Sequence, residues 1–134
     1  MAIKVWVDDW QMQCCGEPFA IGDEVSWTLR DPDTEWLELV LGNDLAGSID
    51  QAEEHHGGVG EDVTHTRGIV AAIHTVHCRY APISGGADTA LYPVAGSGVV
   101  DAVRSADGWI PDRGELKFAG YLVQLTVEQD GRSA

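Results

Sequence analysis

Alternation between apolar and polar positions opens the chain. Ile3, Val5 and Val7 are interleaved with Lys4, Trp6 and Asp8, the period-2 pattern of a half-buried strand. The alternation breaks at Asp9-Trp10 and resumes after Gly16-Glu17-Pro18, where glycine and proline mark a turn. Val25, Trp27 and Leu29 then alternate with Ser26, Thr28 and Arg30, which predicts a return strand paired with the first. Trp6 breaks the polar face of the first strand. Its sheet is therefore either covered on both sides or displays an aromatic patch.

Beyond Asp31-Pro32-Asp33 the period changes. Asp33 or Thr34 is placed to cap a helix starting near Glu35, with Trp36, Leu37, Val40 and Leu41 at helical spacing and Gly42-Asn43 ending or bending it. A run of six apolar-rich residues is also compatible with a buried strand, and helix is the preferred reading. A second amphipathic piece sets Leu45, Ile49 and Ala52 against Asp50, Glu53 and Glu54. His55-His56-Gly57-Gly58 reads as a loop. Strand character runs from Val63 to Ala81, with Ile69, Ala71, Ile73, Thr75 and His77 on one face and Val70, Ala72, His74, Val76, Cys78 and Tyr80 on the other. A bend or bulge is expected near Gly68 because the segment is long for one strand. Short strands at 91–94 and 99–103, a turn-rich connection around Trp109 and a final strand over 121–127 complete the pattern, before a frayed tail at 129–134. The predicted architecture is a single domain over 1–134. It is mainly β (α+β): a small, partly closed antiparallel barrel, OB-like or SH3-like, with one helical insertion. Val5, Val7, Val25, Trp27, Ile69, Ile73, Val123 and Leu125 are its predicted core.

Composition narrows the function classes. Of 134 residues, 44% are hydrophobic, enough for one core. No apolar run approaches the roughly 20 residues of a membrane span, and Met1 leads directly into a strand without a signal-peptide pattern. A cytoplasmic protein is expected, in which three cysteines make a poor disulfide framework. Eight Lys and Arg against 22 Asp and Glu give a net charge of −14. That field repels nucleic acid and anionic membrane surfaces. The charge is concentrated: no Lys or Arg falls between Arg30 and Arg67. The acidic segment 31–66 is the expected docking region for a basic protein partner, with solubility as the simpler explanation of the same charge.

Trp10-Gln11-Met12-Gln13-Cys14-Cys15-Gly16, then Phe19-x-x-Gly22-x-x-Val25-x-Trp27, and later His77-Cys78-Arg79-Tyr80 resemble a family of small, acidic, uncharacterised actinobacterial proteins. That resemblance covers most of the chain and implies one domain of unknown function. It supplies no activity or ligand.

Three constellations carry candidate chemistry. Cys14, Cys15, His74, His77 and Cys78 offer thiolate and imidazole ligands suited to Zn²⁺, or a thiol with a neighbouring base. Against this, the spacing matches no zinc finger, adjacent cysteines diverge in an extended chain, and buried cysteines and a hydrogen-bonded histidine explain the same residues. Glu53-x-x-His56 has the spacing of half a carboxylate-bridged di-iron site, but occurs once; a solvated helix end is the simpler reading. The five tryptophans, with Tyr80, Tyr92 and Tyr121, suit either a core or a ligand cleft. Asp8-Asp9 is a weak acid/base pair because neighbours on a strand face opposite ways, and no nucleophile-elbow, phosphate-loop, metalloprotease or dinucleotide motif occurs. A binding or interaction module follows as the leading expectation, with Trp6, Trp10, Glu53 and Glu54 as binding residues and no resident cofactor. The metal or thiol site is the alternative. Oligomeric state stays open.

Overall fold

The computed structural model describes residues 1–9, 12, 17–53, 65–82 and 91–127. They form ten strands and two helices: β1 Ala2–Asp8, β2 Phe19–Ala20, β3 Glu24–Arg30, α1 Thr34–Leu41, α2 Asn43–Ala46, β4 Gln51–Glu53, β5 His65–Cys78, β6 Tyr80–Pro82, β7 Leu91–Pro93, β8 Val99–Val103, β9 Ser105–Ala106 and β10 Lys117–Val127. The order β10-β1-β4-β3-β5 is closed by pairing of β10 with β5, which makes a five-stranded barrel; β8 extends the sheet beyond β5. The barrel is closed where partial closure was expected, because β5 is long enough to pair with β10 along one edge and with β3 and β8 along the other. The β1–β4 pair is parallel and the other barrel pairs are antiparallel.

Two bulges set which residues enter the barrel. Between β5 and β10 the register runs Ala72↔Gln124 and then Val70↔Leu125, leaving Ala71 unpaired. An extra residue reverses the alternation on either side of it. Ile73 and Val70 therefore both point inward, each 1% exposed, whereas Ile69 is 43% exposed. Ile69 was expected in the core; the bulge at Ala71, rather than a bend or bulge at Gly68, turns it out. The second bulge, at Ala119 in β10, lets Phe118 and Tyr121 share the interior. Val5, Val7, Trp27, Ile73, Val123 and Leu125 form the barrel core as expected, Val25 packs against it half-buried, and Met12 joins it.

A second core lies outside the barrel. Trp6, Val76, Cys78, Ala119 and Leu122 on the outer sheet face meet Leu37 and Val40 of α1, together with Ala46, Ile49 and Ala52. The sheet is thus covered on both faces, and Trp6 is 2% exposed. The α1 boundary follows from local chemistry: Asp33 Oδ1 accepts the Trp36 backbone N–H at 3.2 Å, and Gly42, at φ 87°, ends the helix in a conformation that glycine tolerates.

The second amphipathic piece is not one helix. After the single turn of α2 the chain extends into β4, guided by Asp50, whose carboxylate accepts the Lys4 N–H at 2.9 Å while its own N–H donates to the Lys4 carbonyl. Ladder pairing with β1 and β3 overrides helical periodicity. Glu53, expected on a solvated helical face, lies instead in β4 at 2% exposure.

Three hydrogen bonds, two of them made by buried side chains, hold the 107–116 connection. His77 Nε2–H donates to the Pro111 carbonyl at 3.0 Å, the Gly108 N–H donates to Tyr121 Oη at 2.9 Å, and the Phe118 N–H donates to Asp112 Oδ1 at 3.0 Å.

Candidate functional site

Among the described residues, the candidate ligands His74, His77 and Cys78 do not converge. Residues 74–78 alternate without interruption opposite β10 and β8. His77 therefore faces the barrel interior against Phe118, at a ring distance of 5.7 Å, while Cys78 faces the second core. His74 shares the Cys78 face, but four residues along a strand span roughly 13 Å, too far for one metal ion. Spacing of i and i+4 brings side chains together on a helix and separates them on a strand. Cys14 and Cys15 lie outside the described residues, as do Trp10, Glu54 and His56. Among the described residues, no three His, Cys, Asp or Glu side chains are grouped to hold a metal. Burial holds the Cys78 thiol above its ordinary range; a hydrogen bond with Tyr80 opposes this, and the Asp9 charge adds to it. The thiol therefore stays protonated, the unreactive form.

Chemistry-bearing side chains meet instead at the outer rim of β1. A cleft of about 330 Å³ opens where β1, the start of α1 and β6 come together. Its aromatic side is Trp6, Trp36 and Tyr80; its polar side is Asp8, Asp9, Asp33 and Arg30; Leu37, Ala52 and Ala119 supply apolar lining. The Trp6 and Trp36 rings touch at a centroid distance of 5.6 Å and a tilt of 59°, forming a corner rather than a stack. Trp6 is held in place by its indole N–H, which donates to Asp8 Oδ1 at 2.8 Å. Its ring also lies over Gly120, where a Cβ would come 2.7 Å from Trp6 Cζ2. The second Asp8 oxygen faces Arg30 at 3.6 Å, a loose and partly exposed ion pair.

Three carboxylates against one guanidinium leave the cleft negative. Tyr80 registers that field. Burial pushes its phenol well up, and its interaction with Cys78 and the charges of Asp9 and Asp8 push it further, so the hydroxyl remains a neutral donor. The acidic surface continues outward from Asp33: Glu35 and Glu38 on α1 and Asp44 on α2 are all exposed. The cleft thus joins aromatic walls to net negative charge around one guanidinium.

Sequence reasoning singled out Trp6, and the aromatic on the polar face of a strand was the useful signal. Trp36 and Tyr80 stood with it in the aromatic set, but Arg30 and Asp33 were missed as its companions, because only the packing of α1 over β1 brings them together. Asp8 and Asp9 do line one cleft, contrary to the expectation from alternation, because β1 ends at Asp8. A larger hollow of about 1200 Å³ runs past Met1, Ile3, Leu29 and Val127. No site is assigned there.

The fold and cleft define a class: a small, mainly β domain with a closed five-stranded barrel, two helices over its outer face and an acidic, aromatic-walled recess between them. The chain belongs to a family of unknown function, DUF6578, whose model matches residues 1–127. No curated protein and no solved structure matches it.

Proposed function

We propose that this domain is a binding module that docks a basic segment of a partner protein, with a cationic side chain seated in the Trp6–Trp36–Tyr80 cleft. The observation that carries this reading is the joining of aromatic faces to excess carboxylate at one recess, where Trp36 and Tyr80 stand beside Asp8, Asp9 and Asp33. A cation over an aromatic face gains about 0.5–2 kcal/mol, more as water is excluded, and nearby carboxylates add to it. The exposed acidic residues of α1 and α2 extend the same sign of charge around the entrance and speed encounter with a basic chain.

The test is titration of a fluorescently labelled, lysine- and arginine-rich peptide at several salt concentrations. Binding is expected to weaken steeply with salt. Charge reversal at Glu35→Lys together with Glu38→Lys is expected to reduce affinity and flatten the salt dependence. Absence of binding at low salt, or binding indifferent to both substitutions and to Trp36→Leu, refutes the proposal.

A further inference from the structure

We infer that the outer edge of β8 is a self-association site, at which a second copy of this chain adds its own β8 antiparallel, across a two-fold axis at Asp101. β8 ends the six-stranded sheet. One of its edges is paired with β5 and, among the described residues, no strand pairs with the other. An open edge offers a row of backbone donors and acceptors to any incoming strand, and folded domains guard such edges with lysine, proline or a bulge. Val99-Val100-Asp101-Ala102-Val103 has no lysine, no proline and no register shift against β5. Its one charge, Asp101, is covered by Arg113, whose Nη1 lies 2.7 Å from Asp101 Oδ2.

The sequence of the strand says why the occupant is a second copy. It is close to a palindrome about Asp101. In an antiparallel pair at that register, Val100 lies opposite Ala102 of the second copy and Val99 lies opposite its Val103, so every apolar side chain meets an apolar one. Val100, 36% exposed, and the exposed Ala102 stand opposite Val76 and His74 of β5, and so lie on the outer sheet face. Large and small side chains then alternate across the seam. The two Asp101 carboxylates come opposite each other, with Cβ atoms about 4.5–5.5 Å apart, which is repulsive for bare charges. Arg113 neutralises each of them, and at that separation each guanidinium is within reach of both carboxylates.

Charge along the chain points the same way. Between residues 79 and 117, four Lys and Arg stand against five Asp and Glu, so this stretch carries −1 of the chain's −14. The part of the molecule that includes β8 is therefore the part that repels its own copy least. Repulsion between the rest of the two molecules remains, and salt screens it. Self-association strengthens as salt rises, the opposite of basic-segment docking in the cleft. A seam of five residues a side is small, so the dimer is weak and forms at high protein concentration.

The experiment is sedimentation equilibrium of the full chain under reducing conditions, at several salt concentrations and at protein concentrations up to about 1 mM. A monomer–dimer equilibrium is expected, tighter at higher salt. Val100→Lys, which sets a charge on the edge, is expected to weaken it about tenfold or more. Arg113→Gln is expected to weaken it by a similar factor, because two bare carboxylates then meet, and adding Asp101→Asn to Arg113→Gln is expected to restore it. Circular dichroism is expected to show all three variants folded, and the rescue distinguishes a seam contact from a general loss of structure. A monomer under every condition overturns the inference. A dimer unmoved by Val100→Lys forms elsewhere and overturns it. A dimer that loosens with salt is a contact between opposite charges and overturns it. Failure of the rescue overturns the pairing at Asp101. Basic-segment docking in the cleft stands or falls separately, on the peptide titration and the Trp36→Leu variant.

Discussion

Gly120 offers a sharp test of how β1 and β10 meet beneath the cleft. It lies opposite Asp8 in the β1–β10 ladder and opposite Val76 in β5, so the backbone is held from both edges. A methyl group there would collide with the Val7 carbonyl oxygen and come 2.7 Å from Trp6 Cζ2. The first obstacle is backbone, which cannot swing aside; the second is a ring tied to Asp8. Overpacking of this kind costs about 1–3 kcal/mol. Gly120 is not among the glycines at positive φ, so alanine meets no conformational penalty and recovers about 0.4–1 kcal/mol through the unfolded chain. The net expectation for Gly120→Ala is a loss of about 1–2 kcal/mol, measured by urea titration with an unchanged slope. Trimming the ring removes one obstacle. In a Trp6→Phe background the same substitution should cost about 1 kcal/mol less, a coupling visible in a double-mutant cycle. A loss below about half a kcal/mol in the wild-type background, or a cycle without coupling, would refute this account of the contact.

Other expectations follow from burial. Ile73→Ala should lose about 2–5 kcal/mol on denaturant titration, since its side chain is 1% exposed in the barrel; a loss under half of one would contradict that packing. Glu53→Lys should destabilise by at least about 2 kcal/mol because the residue is 2% exposed, whereas Glu35→Lys on the outer face of α1 should stay within about half a kcal/mol; equal effects would overturn the burial of β4. With Cys14 and Cys15 replaced by serine, Cys78 should resist thiol reagents until denaturation, and rapid native labelling would contradict its 0% exposure. Folding holds the Cys78 and Tyr80 protons more tightly than the unfolded chain does. Stability should therefore be complete below the thiol's ordinary value of 9.0 and fall as pH rises past it and past the phenol's 10.0; a flat profile between pH 8 and 11 would contradict the raised values.

Local pattern was informative where one element faces one core. The alternation of Ile3, Val5 and Val7, the Asp33 cap and the helical spacing of Leu37 and Val40 translate directly into structure. Trp6 already implied that the sheet is either covered on both sides or displays an aromatic patch, and the first alternative holds. What failed was phase and distance. A single unpaired Ala71 exchanges the faces of Val70 and Ile69, and nothing in those side chains marks the bulge, because alanine fits either face. The 45–53 segment has helical periodicity but is drawn into a ladder by β1 and β3, a tertiary effect. His74 and Cys78 looked close because they share one strand face, yet four residues along a strand set them roughly 13 Å apart. The cleft was legible only in part, since its walls come from β1, α1 and β6, and no local pattern encodes their meeting.

The central claim is that a cationic side chain enters the Trp6–Trp36 corner. The five tryptophans give five indole N–H signals in a ¹⁵N-labelled sample, and Trp27, in the barrel core, serves as an internal control. Titration with a basic peptide is expected to shift the Trp6 and Trp36 indole signals in saturable fashion, leave Trp27 in place, and lose the effect in Trp36→Leu. Saturable shifts confined to other signals, with Trp6 and Trp36 unmoved, would contradict the account.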